Sequence, residues 1–108
     1  MSFMFSGCSS LNELNLSNIN TKRVTSMSCM FEGCSSLKEL NLSNFDMYNV
    51  NDMNYMFYGC SSLKELILFN LNTNRATNTN MNHIFVGVSV FITFSLLTLL
   101  VLFLRFQN

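Results

Sequence analysis

The sequence predicts an α/β-type solenoid of three stacked units with a short parallel sheet, followed by one C-terminal transmembrane helix. Two observations lead there. The chain repeats itself with a period of 26, placing Met4, Met30 and Met56, then Cys8, Cys34 and Cys60, then Leu11, Leu37 and Leu63 in register. It then ends in IFVGVSVFITFSLLTLLVLFL, Ile84 to Leu104, a long run without a charge. A fixed period of this size sets an architecture before local propensities do, because a unit that cannot bury its own apolar side must stack on its neighbours.

Within each unit the register continues through Leu14, Leu40 and Leu66, through Leu16, Leu42 and Leu68, and through Ile19, Phe45 and Leu71. Leu40-Asn41-Leu42 alternates apolar and polar residues, the rhythm of a short strand with its leucines facing inward and Glu39, Asn41 and Ser43 facing out. The rhythm then changes. Val50, Met53, Met56 and Phe57 recur at intervals of three or four, which predicts a short helix, and Gly59 stands where a left-handed cap would close it. Each unit is therefore expected to be a strand, a turn, a short helix and a Gly-Cys corner.

The motif MFEGCSSLKELNLSNF at residues 30–45, with close copies before and after it, resembles the BspA-like leucine-rich repeats of bacterial and protist surface proteins. The resemblance runs from about Met4 to Asn82. It implies a right-handed leucine-rich repeat solenoid with a parallel sheet on one face, and a role in adhesion or surface recognition. One position departs from the general leucine-rich pattern. Its asparagine falls on Ile19, Phe45 and Leu71, with Asn18, Asn44 and Asn70 one place early, so an internal asparagine ladder does not carry over by register.

The boundaries that follow are 1–76 for the repeats, 77–83 for a polar linker and decayed fourth repeat, 84–104 for the transmembrane helix and 105–108 for a short tail. A helix over the whole of 84–104 is long enough for a hydrocarbon core of ~30 Å. The decayed repeat is visible in Met81 to Ser89, which aligns with Met53 to Ser61 at an offset of 28. Flanking charge is too even to orient the span, with Arg105 on one side and Arg75 and His83 on the other. The amino terminus lacks a basic region followed by an apolar core, so no secretory signal peptide is read there. By the resemblance, the location is the plasma membrane, with the repeats at the cell surface.

Chemistry is harder to find. Six basic and six acidic residues give zero net charge without a basic cluster, which argues against a nucleic-acid partner. Neither a nucleophile with its base, nor a carboxylate pair, nor a phosphate loop is assembled, so the chain reads as a non-enzyme without cofactor or metal. Gly33-Cys34-Ser35-Ser36 lacks the flanking glycine of a nucleophile elbow, and its repeated serines suit corner-satisfying hydroxyls. Cys8, Cys34 and Cys60 form a column, read first as buried free thiols and second as an inter-unit disulfide. Cys29 lies off that column, a candidate exposed thiol. Asn15-Leu16-Ser17 and Asn41-Leu42-Ser43 are formal glycosylation acceptors within the repeat consensus.

What remains for binding is the outward sheet face: Glu13, Asn15 and Ser17, then Glu39, Asn41 and Ser43, then Glu65, Ile67 and Phe69. Two of these, Ile67 and Phe69, are apolar where the earlier units are polar. The expected function is a membrane-anchored protein that meets a protein or host-surface ligand through this face. The alternative is a truncated or frameshifted repeat fragment, a structural spacer with no specific partner.

Overall fold

The computed structural model describes residues 1–68, 81–88 and 93–94. Three short strands, β1 (Glu39–Asn41), β2 (Glu65–Ile67) and β3 (Thr93–Phe94), form one parallel sheet in the order β1-β2-β3. Glu39 is level with Glu65, and Glu65 with Thr93, so the second step of the register is two positions longer than the first. The sheet has three strands, yet they do not come from the three units expected. They belong to the second, third and fourth, and Leu14 to Leu16 of the first unit forms no strand.

The side opposite the strands corrects the expectation of a helix. Residues 28–33 and 54–59 are successive turns, as are 2–7 and 82–87, and no helix occurs among the described residues. Their N–H groups alternate in destination. Met30, Glu32 and Cys34 donate three residues back, to Met27, Cys29 and Phe31. Cys29, Phe31 and Gly33 instead donate across to the carbonyls of Asn54, Met56 and Tyr58 in the next unit, at 2.9, 3.0 and 2.7 Å. The same triplet joins Phe3, Phe5 and Gly7 to Ser28, Met30 and Glu32, and joins Tyr55, Phe57 and Gly59 to Asn82, Ile84 and Val86.

A stretch this short would be a marginal helix on its own, whereas stacked turns satisfy their remaining donors in the neighbouring unit. The apolar spacing of three or four serves both geometries, since a run of tight turns also returns a side chain to the same face about every third residue. Positive φ at Cys29 (56°) and Gly33 (75°) breaks any helical run, and both are repeated at Tyr55 and Gly59.

Between the ladder and the sheet lies one apolar core of columns running through the stack. Phe5, Phe31, Phe57 and Phe85 stack with centroids 5.7, 5.9 and 5.8 Å apart and planes within 9° of parallel. Such contacts add about 0.5–1.5 kcal/mol each beyond area burial. Met30, Met56 and Ile84 form a second column, and Leu37 with Leu63 and Leu40 with Leu66 fill the space behind the strands.

Side chains stitch the first unit to the second where strands do not. Asn44 Nδ2 donates to the carbonyls of Leu16 and Ser17 at 2.9 and 3.2 Å, although register alone gave no asparagine link. Buried Thr21 both donates to the Asp46 carbonyl and accepts from its N–H, at 3.1 and 2.8 Å. Ser36 Oγ donates to the Ser9 carbonyl at 2.6 Å, the corner role expected of the repeated serines.

The fourth unit starts inside the apolar run. Ile84 is 3 % exposed in the methionine column, Phe85 stacks on Phe57, and Thr93–Phe94 pairs with β2. The described part of the expected transmembrane segment is thus turn and strand, and the remainder of 84–104 lies outside the described residues. No described helix is long and apolar enough to cross a membrane.

A Cβ added at Gly33 would lie 3.6 Å from the backbone of Gly7, an ordinary contact, so Gly33→Ala is penalised by its φ rather than by space. We expect a loss of about 1–2 kcal/mol in urea unfolding. Ser35→Ala, at a half-buried corner in the same loop, should lose under about 0.5 kcal/mol.

Candidate functional site

The outward positions are set by strand alternation. Leu40 and Leu66 point into the core, so Glu39, Asn41, Glu65 and Ile67 take the other face, the first three exposed and Ile67 half-buried. Asn15 and Asn41 are only partly available. Their Oδ1 atoms accept the N–H groups of Ser17 and Ser43 at 3.0 and 2.9 Å, closing a tight turn at the end of each strand position.

Glu13, Asn15, Glu39 and Asn41 come together. With Asn12, Leu14 and Lys38 they line an open groove of about 830 Å³ between the first unit and β1. Its cause is the missing strand. The Lys38 carbonyl accepts from Glu65 N–H and Leu42 N–H donates to the Ile67 carbonyl, which commits alternate residues of this segment to β2. The main-chain groups of Glu39 and Asn41 therefore point the other way, over the groove, and no partner meets them among the described residues. The slit is pinned at one end by Ser36 on Ser9 and at the other by Asn44 on Leu16.

Glu65 and Ile67 sit beyond β1 on the same face, whereas Phe69 lies outside the described residues. Ser17 and Ser43 do not line the groove. Lys38, Asn12 and Leu14 were not foreseen as groove residues. Leu14 in particular reads as core by periodicity and is only half-buried, because its unit is not drawn into the sheet.

The cysteines are all free. Cys34 and Cys60 are fully buried, and their thiols donate to the carbonyls of Phe5 and Phe31 at 3.2 and 3.1 Å. Cys29, a candidate for exposure, is 8 % exposed. Burial pushes the Cys60 thiol up to about 12 from an ordinary 9.0. Burial, then the hydrogen bond and charge of Glu32, raise Cys29 to about 11. Burial and then neighbouring Cys8 push Cys34 in the same direction. Thiols held neutral in this way are poor nucleophiles and poor metal ligands. No group of three His, Cys, Asp or Glu side chains converges to hold a metal among the described residues.

On the turn side, His83 stacks on Tyr55 with centroids 5.0 Å apart, and Tyr55 meets Tyr58 at 5.4 Å. The offset of 28 that aligns His83 with Tyr55 was the signal for this contact.

The sequence model of one family matches residues 1–94. The chain belongs to that family, described as Mycoplasma protein of unknown function, DUF285. The match ends at Phe94, the last residue of β3, so it takes in the fourth unit and the first half of the uncharged run. No curated protein and no solved structure matches the chain.

Two outcomes follow for the thiols. At pH 8 an aromatic disulfide reagent should modify half-buried Cys8 quickly and the three buried cysteines only on unfolding, read as absorbance with and without urea. The raised thiols contribute stability in full below pH 9, where both states are protonated. Above it the unfolded chain ionises first, so Tm should fall as pH rises from 9 toward 11. Cys60→Ala should flatten that fall.

Proposed function

We propose that the chain is a non-enzymatic, BspA-like leucine-rich repeat protein of the cell surface, binding an extended segment of a protein or host-surface ligand along its outward sheet face. The observation that carries this reading is the edge of β1, unpaired among the described residues, opening onto the groove lined by Asn12 to Asn15, Lys38, Glu39 and Asn41. An extended peptide laid there would gain main-chain hydrogen bonds from Glu39 and Asn41, the mode in which a strand adds to a sheet edge. Side-chain selectivity would come from Glu13, Glu39 and Lys38 at the rim. Glu65 and Ile67 extend the surface past β1, and Glu39 level with Glu65 makes a like-charged pair that favours a basic ligand residue above it.

Membrane attachment belongs to the same reading, through the uncharged run that begins at Ile84. Unit and helix compete for its first half. With Ile84 to Val88 and Thr93–Phe94 in the stack, Ser95 to Leu104 leaves only about 15 Å of helix against a core of ~30 Å. A chain anchored by a full span would give up its fourth unit.

That competition also favours a second reading on a specific observation. Ile84, Phe85 and Val88 pack as core, so the start of the run is apolar for the sake of the stack, as in a repeat fragment acting as a spacer.

Glu39→Lys combined with Asn41→Lys should lower binding of the full chain to host cells and immobilised matrix proteins at least about tenfold, or roughly 1.4 kcal/mol. Glu32→Lys, on the turn side, should leave it unchanged. Equal binding by the double variant and the parent would defeat the groove as the site. For the anchor, the parent chain should stay in carbonate-washed membranes, and Leu97→Arg with Leu100→Arg should release it, each charge costing about 2.5–3.5 kcal/mol mid-membrane. Release of the parent itself would remove the membrane from the reading.

A further inference from the structure

The outward sheet face carries two rows of opposite charge that the described chain does not neutralise. Lys38 and Lys64 stand at the entrances to β1 and β2, and the next residue of each unit, Glu39 and Glu65, opens the strand itself. All four are exposed. None makes an ion pair among the described residues, although each lysine adjoins a glutamate in sequence.

Parallel register fixes the rows. Glu39 lies level with Glu65, and the Lys38 carbonyl accepts from the N–H groups of both Lys64 and Glu65, at 2.8 and 3.2 Å. Like charge therefore sits beside like charge along the stack, one strand spacing of about 4.8 Å apart, an arrangement that is unfavourable within a single chain. The pattern belongs to the second and third units. The first has Asn12 and Glu13 at these positions, and the fourth has Thr93 in place of the glutamate.

A half turn supplies what one chain lacks. An axis lying in the plane of the face, parallel to the stack and between the two rows, brings a second copy onto the first with strands reversed and units level. Lys38 then meets Glu39 of the second copy and Lys64 meets its Glu65, and the symmetry makes each contact twice. An axis along the strands would instead set lysine over lysine and glutamate over glutamate, so charge selects the first arrangement. We propose that this face joins two copies of the chain in an isologous dimer, held by Lys38 and Lys64 of each copy on Glu39 and Glu65 of the other. Exposed pairs are individually weak and screened by salt, so the dimer is weak and salt-sensitive. It covers Glu39 and Asn41, so copies compete with an extended ligand for the same edge. The charge rows carry the dimer whether or not that ligand reading holds.

The test uses the full chain in a non-ionic detergent, with sedimentation equilibrium over a range of concentrations. The parent should pass from monomer to dimer and stop there, because a two-fold contact uses up its own surface. Raising salt from about 0.01 M to about 1 M shortens the screening length from ~30 to ~3 Å and should lower the association constant at least about tenfold. Lys38→Glu with Lys64→Glu makes both rows acidic, and Glu39→Lys with Glu65→Lys makes both basic. Either variant alone should associate at least about tenfold less than the parent, and the two mixed in equal amounts should recover a one-to-one dimer. Far-UV circular dichroism checks folding. Where a variant misfolds, Lys38→Gln with Lys64→Gln and Glu39→Gln with Glu65→Gln take its place, each expected to dimerise less than the parent and with a flatter salt dependence. A parent that stays monomeric at low salt, or a mixture that does, would overturn the inference and leave the ligand reading standing. Association indifferent to salt and to the swaps would place the contact in the apolar run and overturn it as well.

Discussion

The structure depends on a division of labour among backbone N–H groups in the turns. Alternate donors close their own turn and the others reach the carbonyls of the next unit. A turn of six residues cannot satisfy its own main chain, and a buried unsatisfied donor costs about 1–3 kcal/mol. Three cross-unit bonds per junction therefore hold the stack on the side away from the sheet. They also fix the vertical spacing, so that phenylalanine falls on phenylalanine and glycine on glycine. The strands, only two or three residues long, follow from that alignment more than they impose it.

Because the ladder fixes spacing and not sequence length, it tolerates insertion. Ladder and sheet both advance by two additional residues at the last junction, which places the two extra residues between Leu68 and Met81. The fourth unit can then lose the methionine and cysteine of the consensus, keeping Phe85 and Gly87 for the stacked ring and the left-handed turn. Ile84 and Val88 supply equivalent apolar volume. Apolar composition here serves two masters, since the same residues that fill a core would also suit lipid.

The groove and the open end have a common origin in the first unit. It is bound to the second through the turn ladder and through Thr21, Asn44 and Ser36, but not through strand pairing. The third unit has both its faces covered and both its strand edges used. The first is stacked on the second and forms no strand, so among the described residues the carbonyls of Ser2, Met4 and Ser6 and one side of β1 meet no partner.

Sequence by itself determined the period, the inward leucines and phenylalanines, the outward face of Glu39 and Asn41, the glycine corners and the lengthened offset of Met81 to Ser89. These are properties of one unit or of its copies, and side-chain hydrophobicity and φ preference write them locally. Only the tertiary structure decided that the turns are not helices, that Leu14 to Leu16 stays out of the sheet while Thr93–Phe94 joins it, and that Cys29 is buried. It also decided that Asn44 links two units despite being out of register, and that Glu13, Asn15, Glu39 and Asn41 line one groove. Each of these turns on where a main-chain donor finds its acceptor a whole unit further along the chain, and an apolar spacing of three or four is the same for a helix and for stacked turns.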